Sequence, residues 1–232
     1  MNAPFRKVMI STAAAVVIAV SSQSPALSQK KDPPAPTPAP AGASNIATTS
    51  AAQVEGFRSA KFGMSEAEVK TAIAKDFNIK AADIREQPNP GERTKVLLAK
   101  VPDLLPGGGT AEVSYVIGYQ TKKLIQISAS WSKATDDKMT PEQLFSNSSV
   151  LRAHFMSEGF KPESIASNMP IGGGLLNFRG SDAKDHTAML ILQGTFTQGE
   201  NNQRILTPAS LLLFYVEDAK APDVYRLPPG SF

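Results

Sequence analysis

Apolar residues recur along this chain with two different periods, and the changes of period mark the elements. Val69, Ala72, Ile73 and Phe77 fall on one face of a helix. Its start is encoded in Ser65-Glu66-Ala67-Glu68. The Ser65 hydroxyl can accept from the Glu68 amide while the Glu68 carboxylate reaches back to the Ser65 amide, which makes a capping box. Met64 and Val69 occupy the flanking hydrophobic-staple positions. The same order of residue types returns about 75 residues later in Met139-Thr140-Pro141-Glu142-Gln143-Leu144, with Pro141 at a first-turn position that suits it. Leu144, Leu151 and Phe155 predict the buried face of this second helix, which ends near Gly159. Asn147, Ser148 and Ser149 are a place where it can break in two.

Between and after the helices the period is two. Ala111, Val113, Tyr115, Ile117 and Tyr119 alternate with Glu112, Ser114 and Gly118, and Ile125, Ile127, Ala129 and Trp131 alternate with Gln126, Ser128 and Ser130. Gln120-Thr121-Lys122 joins these two strands as a hairpin. Arg93–Val101, Leu175–Arg179, Thr187–Phe196 and Ala209–Val216 complete six predicted strands. Leu211–Val216 is apolar on both faces, as a central strand would be. The order helix, three strands, helix, three strands predicts an α+β fold: tandem helix-plus-three-antiparallel-strand repeats, 54–133 and 134–216, forming a sheet with helices on one face. Shifting the sequence by 65 residues aligns Gly107-Gly108-Gly109 with Gly172-Gly173-Gly174, Leu124–Ile127 with Met189–Leu192, and Trp131 with Phe196. The proline-bearing tail after Glu217 should run extended over the surface.

The N-terminus predicts export. Arg6 and Lys7 precede an apolar run of twelve residues, Met9–Val20, and Ala26 and Ser28 form a small-x-small cleavage site before Gln29. A permanent membrane span needs about 20 apolar residues, so a cleaved signal over 1–28 fits better than an anchor. Residues 29–53, which include KKDPPAPTPAPAGAS, read as a Pro/Ala-rich flexible linker, and the folded domain as 54–232. The chain has no cysteine, which excludes both a lipid anchor at the signal boundary and disulfides. The expected address is therefore the periplasm, or the exterior, by the general secretory route, with no stable membrane insertion once the signal is removed. Without Arg6 and Lys7 the charge balance is 22 basic against 21 acidic residues, which gives nucleic acid no electrostatic footing.

No chemical motif stands out. His154 and His186 are the two histidines, too few and too far apart for a zinc site. Ser181, Asp182 and His186 have the residue types of a hydrolytic triad but sit together in one polar turn, where a triad alignment is hard to build. The glycine triplets lack the Lys-Ser/Thr ending of a phosphate loop and read as loops needing positive φ or close backbone approach. Asp136-Asp137 lacks the spaced oxygen ligands of a calcium loop. No cofactor, metal or catalytic residue is expected.

The segment GFRSAKFGMSEAEVKTAI resembles the helix start of the BamE/SmpA outer-membrane lipoprotein family, and Met139–Leu144 echoes it. The tandem order of helix and strands is similar to the related beta-lactamase inhibitor protein fold. This chain departs from both patterns in lacking a lipidation cysteine and any disulfide. The resemblance implies a small, non-enzymatic, protein-binding module and carries over neither partner nor binding residue. The leading expectation is thus a periplasmic accessory protein that binds an envelope protein. Tyr115, Tyr119 and Trp131 are its candidate docking aromatics, though they alternate as core residues should and core is the stronger reading of them. A small-ligand-binding protein is the alternative, and an unrecognised hydrolase a third reading.

Overall fold

Two capped helices are the points from which the chain organises itself. In the computed structural model, which describes residues 50–199, 202–228 and 230–231, α1 spans Glu66–Phe77 and α2 spans Pro141–Ser157. The signal at 1–28 and linker residues 29–49 lie outside the described residues. Ser65 caps α1 with both halves of the capping box in place, and Asn78 closes it in the left-handed region at φ 53°. Thr140 caps α2 by accepting from the Gln143 amide, with Pro141 in the first turn.

The strands are β1 (Gly56–Phe57), β2 (Ala60–Lys61), β3 (Arg85–Asn89), β4 (Thr94–Val101), β5 (Ala111–Ile117), β6 (Leu124–Ser132), β7 (Met169–Ile171), β8 (Gly174–Ser181), β9 (Thr187–Gln198) and β10 (Arg204–Val216). β1 and β2 form a small hairpin of their own. The other eight make one antiparallel sheet in the order β3-β4-β5-β6-β10-β9-β8-β7, with both helices packed on it. β10 lies in the middle, as its two apolar faces predict.

Strand parity sorts the side chains. Leu97, Val113, Tyr115, Ile127, Ala129, Trp131, Leu190, Leu192, Leu211 and Leu213 share one core with Val69 and Ile73 of α1 and Leu144, Leu151 and Phe155 of α2. Both helices therefore cover the same face of the sheet.

Several expectations change. Four strands, not three, follow each helix, because β3 and β7 were not visible as alternating runs. Both are short edge strands carrying a proline (Pro88, Pro170), the composition that keeps a sheet edge from pairing further. α2 is continuous through Asn147-Ser148-Ser149. Asn147 donates to the Gly108 carbonyl at 2.8 Å and Ser148 bonds Asn177, so the two buried polar groups join the helix to its surroundings instead of breaking it. The 65-residue alignment also pairs places that differ in the fold. Leu124–Ile127 begins β6, the fourth strand after α1, whereas Met189–Leu192 lies in β9, the third after α2. The first glycine triplet sits in the β4–β5 loop, whereas the second spans the β7–β8 turn and the first residue of β8.

Both ends of the fold are fastened. Ala51 bridges Gly159, the Ala52 amide donates to the Gly159 carbonyl at 3.0 Å, and the Val54 amide donates to Asp182 Oδ2 at 2.8 Å. Phe57 then stacks on Tyr215, with ring centroids 5.7 Å apart. The expected linker boundary at 53 thus falls inside paired chain. At the other end, Asp223 accepts from the Gln120 and Thr121 amides and the Thr121 hydroxyl, and the Tyr225 amide donates to the Glu92 carbonyl.

Candidate functional site

The three candidate aromatics are not brought together on a surface. Tyr115 is 0 % and Trp131 1 % exposed, both beneath the helices. Tyr119 is half-buried where the tail crosses the β5–β6 hairpin, edge-on to Tyr225 at 5.7 Å and with the Arg93 guanidinium nearby. The Tyr115 hydroxyl and Trp131 Nε1 have no hydrogen-bond partner among the described residues, and burial raises the Tyr115 hydroxyl well above its ordinary pKa. These residues are core by the same alternation that made them docking candidates.

The other half of that alternation forms the opposite face of the sheet, over which neither helix packs. Residues directly opposite one another across antiparallel strands project to one face. One such row runs Arg85, Leu98, Ser114, Ser128, Phe214, Met189, Arg179 across seven strands. Its neighbour runs Lys100, Glu112, Ser130, Leu212, Ile191, Leu176, Met169. A hydroxyl stripe down β6 (Ser128, Ser130, Ser132), flanked by Ser114 and Ser210, separates two apolar areas. Val96 and Leu98 lie on one side, and Leu212, Phe214, Met189 and Ile191 on the other.

These hydroxyls are satisfied within the face. Ser114 Oγ and Ser128 Oγ are 2.6 Å apart, and Ser210 Oγ donates to Gln193 Oε1 at 3.0 Å. Val96 and Leu98 are only 8 % and 7 % exposed without any helix over them, so neighbouring strands shield them. Ser114, Leu176 and Ile191 are buried as well, Arg85, Lys100 and Met169 are exposed, and the remaining members of the two rows are half-buried. The result is a broad, largely uncharged surface presented on rigid strands. By contrast, the exposed apolar residues of α2 (Phe145, Val150, Met156) stand among small polar ones on its outer side.

Comparison with known proteins gives no lead. No family model, no curated protein and no solved structure matches this chain. Functional inference therefore rests on the sequence and the geometry of this chain.

That geometry assigns structural work to the groups that looked chemical in the sequence. Asp182 is buried, and its two oxygens take the amides of Val54, Lys184 and His186. His186 Nδ1 lies 3.5 Å from Asp182 Oδ2 and its ring meets Phe62 edge-on. The third residue of the would-be triad turns elsewhere: Ser181 Oγ is 3.0 Å from Thr187 Oγ1. His154 lies on the exposed side of α2, 3.7 Å from Glu158. Asp136 accepts the Thr110 and Lys138 amides, which hold its carboxyl below the ordinary range, and so pins the β4–β5 loop. Among the described residues no group of three His, Cys, Asp or Glu is placed to hold a metal ion. A groove lined by Asn78, Ile79, Asp83, Arg85 and Lys100 opens widely to solvent beside β3. No helix among the described residues is long and apolar enough to cross a membrane.

The polar members of the alternation were readable in the sequence, but the row from Arg85 to Arg179 was not. Arg85 belongs to a strand with no periodic signal, and the two arginines share a row only through six strand pairings.

Proposed function

We propose that this chain is an exported, non-catalytic protein-binding module that engages an envelope protein through the helix-free face of its sheet. The observation that carries the reading is a face spanning seven strands, mixed hydroxyl and apolar, with its charges at the margins. Depletion of charge at the centre with polar groups around it is the composition of a protein-docking surface. The strands that present it are held by the core on their other side, so little order has to be gained on binding. Export is supported by the signal-like N-terminus.

A two-repeat organisation belongs to the same proposal. Its support is that each helix is followed by four consecutive strands, and that the two sets meet through their last strands, β6 and β10. The resemblance at Phe57–Ile73 points the same way, toward a small binding module. A small-ligand reading has less behind it, because the groove beside β3 is open and shared by both charges.

The test is affinity purification of the exported full-length chain from the periplasm, beside a Leu212→Arg variant. Leu212 lies mid-face and half-buried with uncharged Ser130 and Ile191 as its cross-strand partners, so an arginine there places a large cation in the uncharged centre without touching the core. The wild type should retain a stoichiometric protein and the variant should lose it at an unchanged melting temperature. No stoichiometric protein, or equal retention by both, would sink the reading.

A further inference from the structure

The helix-free face has a charge pattern that restricts what can cover it. Arg85 and Arg179 stand at the two ends of one row of cross-strand partners, six strand steps apart. At about 4.8 Å per step the separation along the sheet is on the order of 29 Å. Every residue between them is uncharged. Lys100, in the next row, adds a cation on the Arg85 side. Glu112 is the sole carboxylate of the rows on this face and it is already paired with Arg85. Neither Lys100 nor Arg179 forms an ion pair among the described residues.

A covering surface must satisfy both parts of this pattern. Over the centre, any charge it brought would be desolvated without a partner, which is strongly unfavourable. At the margins a carboxylate gains: Arg179 offers a fork of N–H donors that takes a carboxylate through two parallel hydrogen bonds, and at the other end, where Arg85 is paired with Glu112, Lys100 is the cation left over. A nucleic acid fits poorly, since its closely spaced phosphates would cross a centre that holds no cation.

Resting on the reading of this face as a docking surface, the geometry points to one kind of partner: a protein segment with an uncharged contact stripe and acidic side chains at its ends, lying across the strands from Arg85 to Arg179. If helical, such a segment is about 19 residues long at 1.5 Å per residue.

The chain has no cysteine, so Ser128→Cys gives a unique attachment point for a photo-crosslinker in the middle of the row. The full-length exported chain carrying it is irradiated in cells, and the crosslinked peptide is identified by mass spectrometry. The same is done with Arg85→Glu and Arg179→Glu added. The crosslink should fall on a protein segment bearing Asp or Glu within a few residues. Its yield should drop at least about tenfold in the charge-reversed chain, because like charges brought together are costly. Changing the partner's acidic residues to Lys should restore it. If the reversed chain is poorly folded, Arg85→Gln with Arg179→Gln keeps the test, with a smaller drop expected. An undiminished crosslink, or one to a neutral or basic protein segment or to a second copy of this chain, overturns the inference while leaving the face a protein-docking surface. A crosslink to nucleic acid, or no crosslinked macromolecule at all, overturns both.

Discussion

Asp182 fastens distant parts of this chain from within what reads as a polar turn. Its buried carboxylate takes the amide of Val54, 128 residues away, together with two amides of its own hairpin. Asp182→Ala should leave those amides without acceptors and cost about 2–4 kcal/mol. Urea unfolding would read the loss, and limited proteolysis should cut faster near Val54; an unchanged melt with unchanged cleavage would contradict the assignment. Tyr115 is the opposite case. Its hydroxyl is buried and unpartnered among the described residues, so Tyr115→Phe should be neutral or stabilising by thermal melt, and a clear loss would contradict that. Asp223 adds a pH dependence. Burial pushes its carboxyl up, but the Thr121 hydroxyl and the Gln120 and Thr121 amides together hold it below the ordinary 3.8. A carboxylate depressed in the fold stabilises above its unfolded pKa, and that contribution disappears as the pH falls through the folded value. Asp223→Asn should therefore cost stability at pH 7 and progressively less as the pH is lowered through the carboxylate range, measured by urea titration along it; a cost that does not fall with pH would show that the charge is immaterial.

The elements differ in how much of them the sequence carries locally, and α2 shows both sides. Its start was legible because Thr140, Pro141 and Gln143 act within one turn. Its middle was not, because Asn147 and Ser148 look like breakers until their partners, the Gly108 carbonyl and Asn177, are brought close by the fold. Asn147→Ala should loosen the glycine loop from the helix at a cost of about 1–3 kcal/mol, seen in denaturant melts and in faster amide exchange around Gly108. The six alternating strands were legible for the same local reason as the helix caps. β3 and β7 were missed because a short edge strand with a proline has no inner face to write a pattern on. The glycine triplets place the same demands at different positions. Gly107 and Gly109 take positive φ of 68° and 76° in the first, whereas in the second Gly173 takes 79° and at Gly174 a side chain would run into the Leu192 carbonyl of the neighbouring strand. Shared composition at a fixed offset was therefore no guide to equivalent positions.

For the molecule as a whole, alternation fixed which residues face which way, but the meaning of each face came only with the helices. Tyr115 and Trp131 became core once both helices settled on their side, and the polar positions between them became the open surface. The order of strands then placed Arg85 and Arg179 in one row, which no local pattern could show. The export reading makes its own prediction: mass spectrometry of the mature chain should find Gln29 at its start, and Met1 or Asn2 there would make the apolar segment an anchor. The docking claim is tested most directly by asking whether the open face is covered in the cell. In this cysteine-free chain, Ser130→Cys reports on that face and Ala67→Cys on the exposed side of α1. Maleimide labelling of each is compared between intact cells and purified protein. The account predicts that labelling at 130 slows at least about tenfold in cells while labelling at 67 does not change. Equal rates at 130 in the two settings would contradict it.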